Sequence, residues 1–175
     1  MDLGGKMSAD DIVNSFLNEL NNNPEHDPQK LVSTYFCSDD PPPPPPPKPT
    51  IPSVGLANYG PSFAGRNEVV ALFVQIFNSF PDLKFLPLPS FPRLYSPSGD
   101  KIAILGSIMG THKAEWFAEG HPHHSKPISG IKPDGSHTMN VPACAIFSFD
   151  ASGSRIANLS IYFDRSTMSR HLGGP

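Results

Sequence analysis

The chain opens with two stretches in which apolar residues recur every three or four positions, the spacing of one face of an α-helix. In SADDIVNSFLNEL, Ser8 is a candidate cap and Asp11 stands three residues on, as in a capping box. In DPQKLVSTYF, Asp27 is the candidate cap and Pro28 takes the first helical position. We therefore predict two amphipathic helices, with buried stripes formed by Ile12, Phe16, Leu17 and Leu20 and by Leu31, Val32, Tyr35 and Phe36.

The strongest helical pattern lies in GRNEVVALFVQIFNSFPD. Asn67 is the candidate cap at its start, and Pro81 ends it because proline cannot continue a helix. One face of this predicted helix is continuously apolar and consists of Val69, Leu72, Phe73, Ile76, Phe77 and Phe80.

After residue 81 the apolar period changes to two, which is typical of β-strands. DLKFLPL predicts a short edge strand, and a long strand is expected from Lys101 to about Trp116 after a turn at residues 96–100. HTMNVPACAIFSF and RIANLSIYF predict a hairpin with its turn around Gly153. Helices followed by antiparallel strands predict an α+β fold, with the helices packed on one face of a curved sheet.

Seven consecutive prolines, from Pro41 to Pro47, interrupt this pattern. They exclude helix and sheet and favour an extended polyproline II rod of about 22 Å, at ~3.1 Å per residue. The rod is either a stiff surface loop or a ligand for a partner module of the SH3, WW or profilin kind. We predict one domain, with N-terminal helices in residues 1–38, a proline-rich insertion in 39–53 and the core in 54–173.

Composition narrows the classes of function. A formal net charge of −3, without any stripe of Lys and Arg, argues against nucleic-acid binding. Cys37 and Cys144 have neither disulfide nor metal spacing, so we expect reduced thiols in an intracellular protein. The first residues lack the apolar core of a signal peptide, and no run of 18 apolar residues follows. A cytoplasmic protein without a membrane segment is expected.

Three stretches together resemble the SnoaL-like polyketide cyclase family of the nuclear-transport-factor-2-like superfamily. They are GPSFAGRNEVVALFVQIFNSFPDLKF, GDKIAILGSIMGTHKAEW and VPACAIFSFDASGSRIANLSIYFDRSTMSRHLG. The resemblance covers roughly residues 59 to 173 and implies a cone in which a bent antiparallel sheet wraps a long helix around an apolar pocket. It also implies a homodimer formed through the outer sheet face, a small hydrophobic metabolite as ligand, and activity without a cofactor.

The last predicted strand carries the main catalytic candidate. Alternation places Asn158, Ser160, Tyr162 and Asp164 on one face. With that face turned into the cone, burial would raise the pKa of Asp164 toward the range useful for proton transfer, with the other three residues binding substrate. The resemblance implies an acid/base role at this position; the alternative is that Asp164 caps the terminal helix.

Other candidates follow from the resemblance and from the residue types. His112 matches a Gly-Thr-His motif of the family and would act as a base or hydrogen-bond donor; a structural histidine is the alternative. The family's usual histidine partner for the aspartate is missing, since Cys144, Ile146 and Phe147 stand in that strand and the nearest imidazole is His137. The pocket walls are expected from Phe73, Phe77, Phe147 and Trp116.

Two further features have competing interpretations. Arg66 is either a substrate ligand or a surface arginine at a helix start. His121, His123 and His124 lie in a stretch rich in Gly, Pro and His, which favours a loop over the pocket mouth rather than a metal site, so we expect no metal.

Two functions remain. The first is a cofactor-independent cyclase or isomerase of a polyketide- or terpenoid-like metabolite in secondary metabolism. The second is a non-catalytic module for small-molecule binding or dimerisation, with a proline-rich loop that recruits a partner.

Overall fold

The first two helices begin at the caps that the sequence predicts. The computed structural model describes residues 7–22, 25–39, 52–56, 63–114 and 133–173. Helix α1 spans Ala9–Asn22, and α2 spans Pro28–Tyr35. The Ser8 backbone N–H donates to Asp11 Oδ2 (3.1 Å), and the Asp11 N–H donates to Ser8 Oγ (3.2 Å). Asp27 accepts a 3.0 Å hydrogen bond from the Lys30 N–H. Local sequence therefore determines both starts.

The long helix α3 spans Arg66–Ser79 and buries all six residues of its predicted apolar face. Its predicted cap is wrong: Gly65, at φ 89°, stands at the N-cap position without a side-chain bond, and Asn67 lies inside the helix. Carboxylates instead accept hydrogen bonds from N–H groups at the helix start and just before it. Asp39 accepts from the Arg66 N–H at 2.8 Å, and Glu68 accepts from the N–H of residue 64 at 2.9 Å. Helix α3 is thus tied at its start to a distant part of the chain.

Seven strands and a short terminal helix complete the part of the fold that the structure describes. Their bounds are β1 Ser53–Leu56, β2 Phe63–Ala64, β3 Lys84–Pro87, β4 Leu94–Tyr95, β5 Lys101–Thr111, β6 Thr138–Phe149, β7 Ile156–Phe163 and α4 Arg165–His171. The predicted hairpin is confirmed: β6 and β7 pair antiparallel, and Gly153 takes φ 66° in the turn between them. The order across the sheet is β2-β1-β7-β6-β5-β3, and β4 pairs with β5.

The α+β class is confirmed, and the sheet is mixed rather than wholly antiparallel. Strands β1 and β7 pair in parallel, with Ser53 opposite Asn158. No hairpin joins these two strands, which lie about a hundred residues apart in sequence, so nothing local imposes an antiparallel direction on them. Every other pair in the described sheet is antiparallel.

The core fills the space between the helices and one face of the sheet. Phe16 of α1 lies at its centre and makes edge-on contacts with four rings, at centroid distances of 5.6 to 6.4 Å: Tyr35, Phe36, Phe73 and Phe147. Such contacts are more favourable than area burial alone predicts. This core is therefore packed with aromatic side chains from α1, from α2 and its C-cap, from α3 and from the sheet.

Several expectations lie outside the described residues. Strand β5 ends at Thr111, so Trp116 is not part of the described strand. The proline run from Pro41 to Pro47 and the loop with His121, His123 and His124 are also outside. Within the described ranges, no helix is long and apolar enough to cross a membrane.

Candidate functional site

An apolar cavity of about 50 Å³ lies between the end of α3, the inner face of the sheet and α4. The helical side and the segment after α3 contribute Ile76, Phe80, Leu83 and Met168. The sheet side contributes Ile108, Met139, Val141, Ile161 and Phe163. A water molecule needs roughly 10–15 Å³ of such space and several polar partners, so a cavity with these walls favours hydrocarbon groups over water.

Helix α4 closes this cavity because one of its side chains and that of its C-cap residue turn inward. Met168 and Leu172 are 2% and 1% exposed, and Met168 forms part of the cavity wall. At the other end of α4, the Asn140 backbone N–H donates to His171 Nδ1 at 3.2 Å. Asn140 lies on β6 beyond the last residue that pairs with β7, so this bond satisfies an edge amide of the sheet. The position of α4 thus decides how large the cavity is.

Asp164 is the N-cap of α4. The prediction that its side chain lies inside the cavity is therefore wrong. Its side chain is exposed and accepts hydrogen bonds from the Ser166 N–H (2.9 Å), the Ser166 hydroxyl (2.8 Å) and the Thr167 hydroxyl (2.6 Å). The hydrogen bonds from Thr167 and then Ser166 lower the pKa of Asp164 to about 2, the opposite of the expected direction. The capping alternative describes this geometry.

The polar face of β7 also turns away from the cavity. Leu159 and Phe163 are buried, and Phe163 and Ile161 line the cavity, so the apolar face is the inner one. On the outer face, Asn158 Nδ2 donates to Ser53 Oγ (2.8 Å) and the Ser160 hydroxyl donates to Asn158 Oδ1 (2.9 Å). Tyr162 is 47% exposed. On this face the polar side chains form hydrogen bonds with each other or contact solvent, so the free-energy cost of burying unpaired polar groups is avoided.

His112 is buried beside the cavity, as the sequence allowed. Its side chain is 2% exposed and stacks on Phe80, with ring centroids 5.3 Å apart and an interplanar angle of 24°. Phe80 is itself a cavity wall, so one phenyl ring separates this imidazole from the cavity. The structure therefore brings His112 near the apolar site and keeps Asp164 away from it.

The remaining candidate residues belong to other environments. Phe73, Phe77 and Phe147 are buried, and none of the three is among the walls of the cavity. Phe73 and Phe77 stack on each other at 5.7 Å, and Phe147 packs on Phe16. Arg66 starts α3 through its backbone bond to Asp39 and does not line the cavity.

Sequence reasoning missed one carboxylate–imidazole pair, which lies just before β6. Asp134 Oδ1 lies 3.0 Å from His137 Nδ1, and Ser136 donates to the same carboxylate through its N–H (2.8 Å) and hydroxyl (2.7 Å). These hydrogen bonds hold the pKa of Asp134 well below its usual range, and the bond from the Ser136 hydroxyl contributes most. The signal was the Asp-Gly-Ser-His stretch itself, in which an aspartate before a turn commonly bonds the residues two and three positions on.

A cluster of three or more metal-binding side chains does not occur among the residues that the structure describes. Cys37 and Cys144 both lie within those residues, and neither forms a disulfide. Burial raises the pKa of Cys37 to about 11, and the same effect raises the pKa of the half-buried Cys144. Neither thiol is therefore activated for nucleophilic chemistry.

Comparison with known proteins gives similarity in structure only. No family model and no curated protein matches the chain. Among solved structures, a protein assigned as a SnoaL-like polyketide cyclase from Jannaschia sp. CCS1 superposes with a TM-score of 0.65 at 12% identity, covering 100% of this chain and 99% of that one.

Two other solved structures carry different descriptions. A hypothetical protein with a ketosteroid isomerase-like fold from Catenulispora acidiphila DSM 44928, in complex with trimethylamine, matches with a TM-score of 0.59 at 14% identity, covering 94% of this chain and 93% of that one. A phenazine biosynthesis-related protein from Pseudomonas aeruginosa matches with a TM-score of 0.61 at 13% identity, covering 95% and 86%. At these identities the likeness fixes the fold and not the reaction. The resemblance found in the sequence is thus confirmed at the level of structure: the chain has the fold of SnoaL-like polyketide cyclases.

Proposed function

We propose that the protein binds a small apolar molecule in the cavity beneath α4. The observation that carries this proposal is the uniformly apolar wall, to which five elements or their flanks contribute. A preformed apolar cavity gains affinity by removing hydrocarbon from water, at roughly 25 cal/mol per Å² of buried surface. The space of about 50 Å³ is well below the roughly 150 Å³ of an engineered cavity that binds benzene, so we infer that Met168 or the rest of α4 moves to admit an aromatic ring.

Methyl NMR of the full chain tests this proposal. Benzene is expected to shift the methyl signals of Val141 and Met168 saturably, while leaving those of the exposed Val74 unchanged. Val141→Ile adds one methylene group to the cavity and is expected to weaken binding several-fold. Val74→Ile is the matched control and keeps full affinity. Absence of any saturable shift at Val141 would remove the proposal.

The second candidate is a cofactor-independent cyclase or isomerase that acts on a polyketide- or terpenoid-like molecule. The buried imidazole of His112 beside the cavity wall favours it, and the fold shared with a polyketide cyclase supports it. Native mass spectrometry of the purified protein would identify a bound metabolite, which then serves as the substrate in a turnover assay. His112→Gln is expected to abolish turnover and Asp164→Asn to retain it. The reverse result would restore the acid/base role that the sequence suggested for Asp164.

Association of two chains through the outer sheet face is also part of the proposal. Tyr162 is exposed there, and Cys144 and Ile146 lie on the neighbouring strand at the same face. Sedimentation equilibrium is expected to give a dimer that Tyr162→Lys dissociates. Recruitment of a partner by the prolines from Pro41 to Pro47 stays a prediction, tested by deletion of that run in a pull-down with SH3, WW and profilin modules.

A further inference from the structure

His112 and His137 lie directly opposite each other at the open end of the β5–β6 ladder. The last strand pair is Thr111 with Thr138, and the His112 N–H donates to the His137 carbonyl at 2.9 Å. Directly opposite residues project from the same face of an antiparallel pair. By alternation that is the face of Ile108 and Met139, both of which line the cavity. The next position of that face beyond Met139 is therefore an imidazole, which lies just before β6 and is 43% exposed at the solvent edge of this face.

The carboxylate of Asp134 holds this second imidazole in one orientation. Asp134 Oδ1 faces His137 Nδ1 at 3.0 Å, and Ser136 fixes the carboxylate from the other side. A carboxylate that accepts the Nδ1–H of a neutral imidazole leaves Nε2 without a proton, as a hydrogen-bond acceptor. In the tautomer that donates Nδ1–H to Asp134, His137 presents Nε2 as its acceptor atom.

Space beside that atom depends on Gly173, the residue after the C-cap of α4. A Cβ added at Gly173 would lie 3.0 Å from His137 Nε2, closer than most side-chain contacts. The same glycine has φ 87°, a conformation that other residues rarely adopt. A glycine here therefore both ends the helix and leaves the edge of the imidazole uncovered by a side chain.

We propose that His137 forms the polar end of the ligand site, where Nε2 accepts a hydrogen bond from a hydroxyl group on a small apolar molecule. This inference rests on the proposed binding function of the cavity. The hydrocarbon part of the ligand occupies the cavity, and its hydroxyl group extends past Met139, an unbranched side chain that changes conformation readily. The ligand class is a neutral phenol, enol or alcohol, because the charge of Asp134 repels an anion at the same place.

Benzene and phenol are suitable probes, since they differ by one hydroxyl group. Their affinities are measured by NMR titration of the full chain in the wild type, in His137→Ala and in the matched control His26→Ala, whose histidine stacks on Phe77 away from the cavity. The affinity for phenol is expected to fall about 2- to 10-fold in His137→Ala, the range of one net hydrogen bond. Affinity for benzene stays constant in all three proteins, and the control retains both affinities.

The outcomes separate the two proposals. Equal affinity for phenol in the wild type and His137→Ala, with benzene bound in both, overturns the role of His137 and leaves the cavity proposal standing. Binding of neither probe overturns the cavity proposal and this inference with it. A second readout is the ¹⁵N signal of His137 Nε2, which is expected to move with phenol and not with benzene. A signal that moves equally with both probes contradicts a hydrogen bond to the hydroxyl.

Discussion

The Asp164 carboxylate accepts a 2.6 Å hydrogen bond from the Thr167 hydroxyl, across the first turn of α4. Met168, one helical turn after Asp164, forms part of the cavity wall. The aspartate that looked catalytic in the sequence therefore acts on the cavity indirectly, by fixing the helix that closes it.

Asp164→Ala is expected to lower the thermal midpoint by a few degrees, because it removes the acceptor of three hydrogen bonds at the helix start. Asp164→Asn keeps an N-cap acceptor and is expected to cost less. Circular dichroism melts of the three proteins test the order. A midpoint for Asp164→Ala equal to that of the wild type would contradict it.

The same cap predicts a pH dependence. The pKa of Asp164 is about 2 in the folded chain and 3.8 ordinarily, so the folded state favours the ionised form. Its stabilisation is complete above about pH 4 and is lost as the pH falls toward 2. In urea titrations between these pH values, the difference in stability between the wild type and Asp164→Asn is expected to shrink as the pH falls. A constant difference would contradict this assignment.

Met168→Ala is expected to enlarge the cavity and to cost about 2 to 5 kcal/mol of unfolding free energy, the usual range for truncation of a buried methionine. The variant should bind toluene more tightly than the wild type does. Met7→Ala is the control, because Met7 is 48% exposed. Urea unfolding and NMR titration measure the two effects. A stability loss as small as that of the control would show that Met168 does not close the cavity.

Phe16→Ala is expected to cost about 3 to 5 kcal/mol, because it removes the ring at the centre of the aromatic core. Phe91→Ala removes the same group from a position that is 56% exposed, and should change stability by less than about 0.5 kcal/mol. Chemical denaturation of both variants provides the comparison. Similar losses in the two would contradict the central role of Phe16.

Cys37 is expected to resist iodoacetamide at pH 8 in the folded protein, because it is 6% exposed and its pKa is about 11. Unfolding should expose the thiol and return its pKa to the ordinary range, so alkylation becomes fast in denaturant. Peptide mass mapping distinguishes Cys37 from Cys144. Equal rates for Cys37 in native and denatured protein would contradict the burial.

The starts of α1 and α2 and the buried face of α3 were predictable from the sequence because they depend on residues three or four positions apart. Ser8 with Asp11 and Asp27 with Lys30 are contacts within one helical turn. The prediction of Asn67 as the cap of α3 is wrong for the opposite reason. The carboxylate that accepts a hydrogen bond from the Arg66 N–H is Asp39, 27 residues away. A local pattern cannot show a partner at that distance.

Strand alternation defined the two faces of β7 correctly, and only the packed structure decided which one is inside. The inner face is the one with Leu159, Ile161 and Phe163, since burying Asn158 and Ser160 there would cost their hydration, whereas on the outer face they bond to Ser53 and to each other. Asp164 was assigned to the cavity because the polar face was taken as the inner one.

What the sequence alone determined about this protein is its helices, the strands after residue 81, its α+β class and a resemblance that points to the right fold, because periodicity and turn residues are local properties. Strands β1 and β2 were not predicted. The tertiary structure alone decided the site. It packed the aromatic residues of α3 against Phe16, left the cavity beneath α4, and brought His137 opposite His112 from 25 residues away. Such placements depend on how distant segments share one volume, and a one-dimensional pattern does not contain that information.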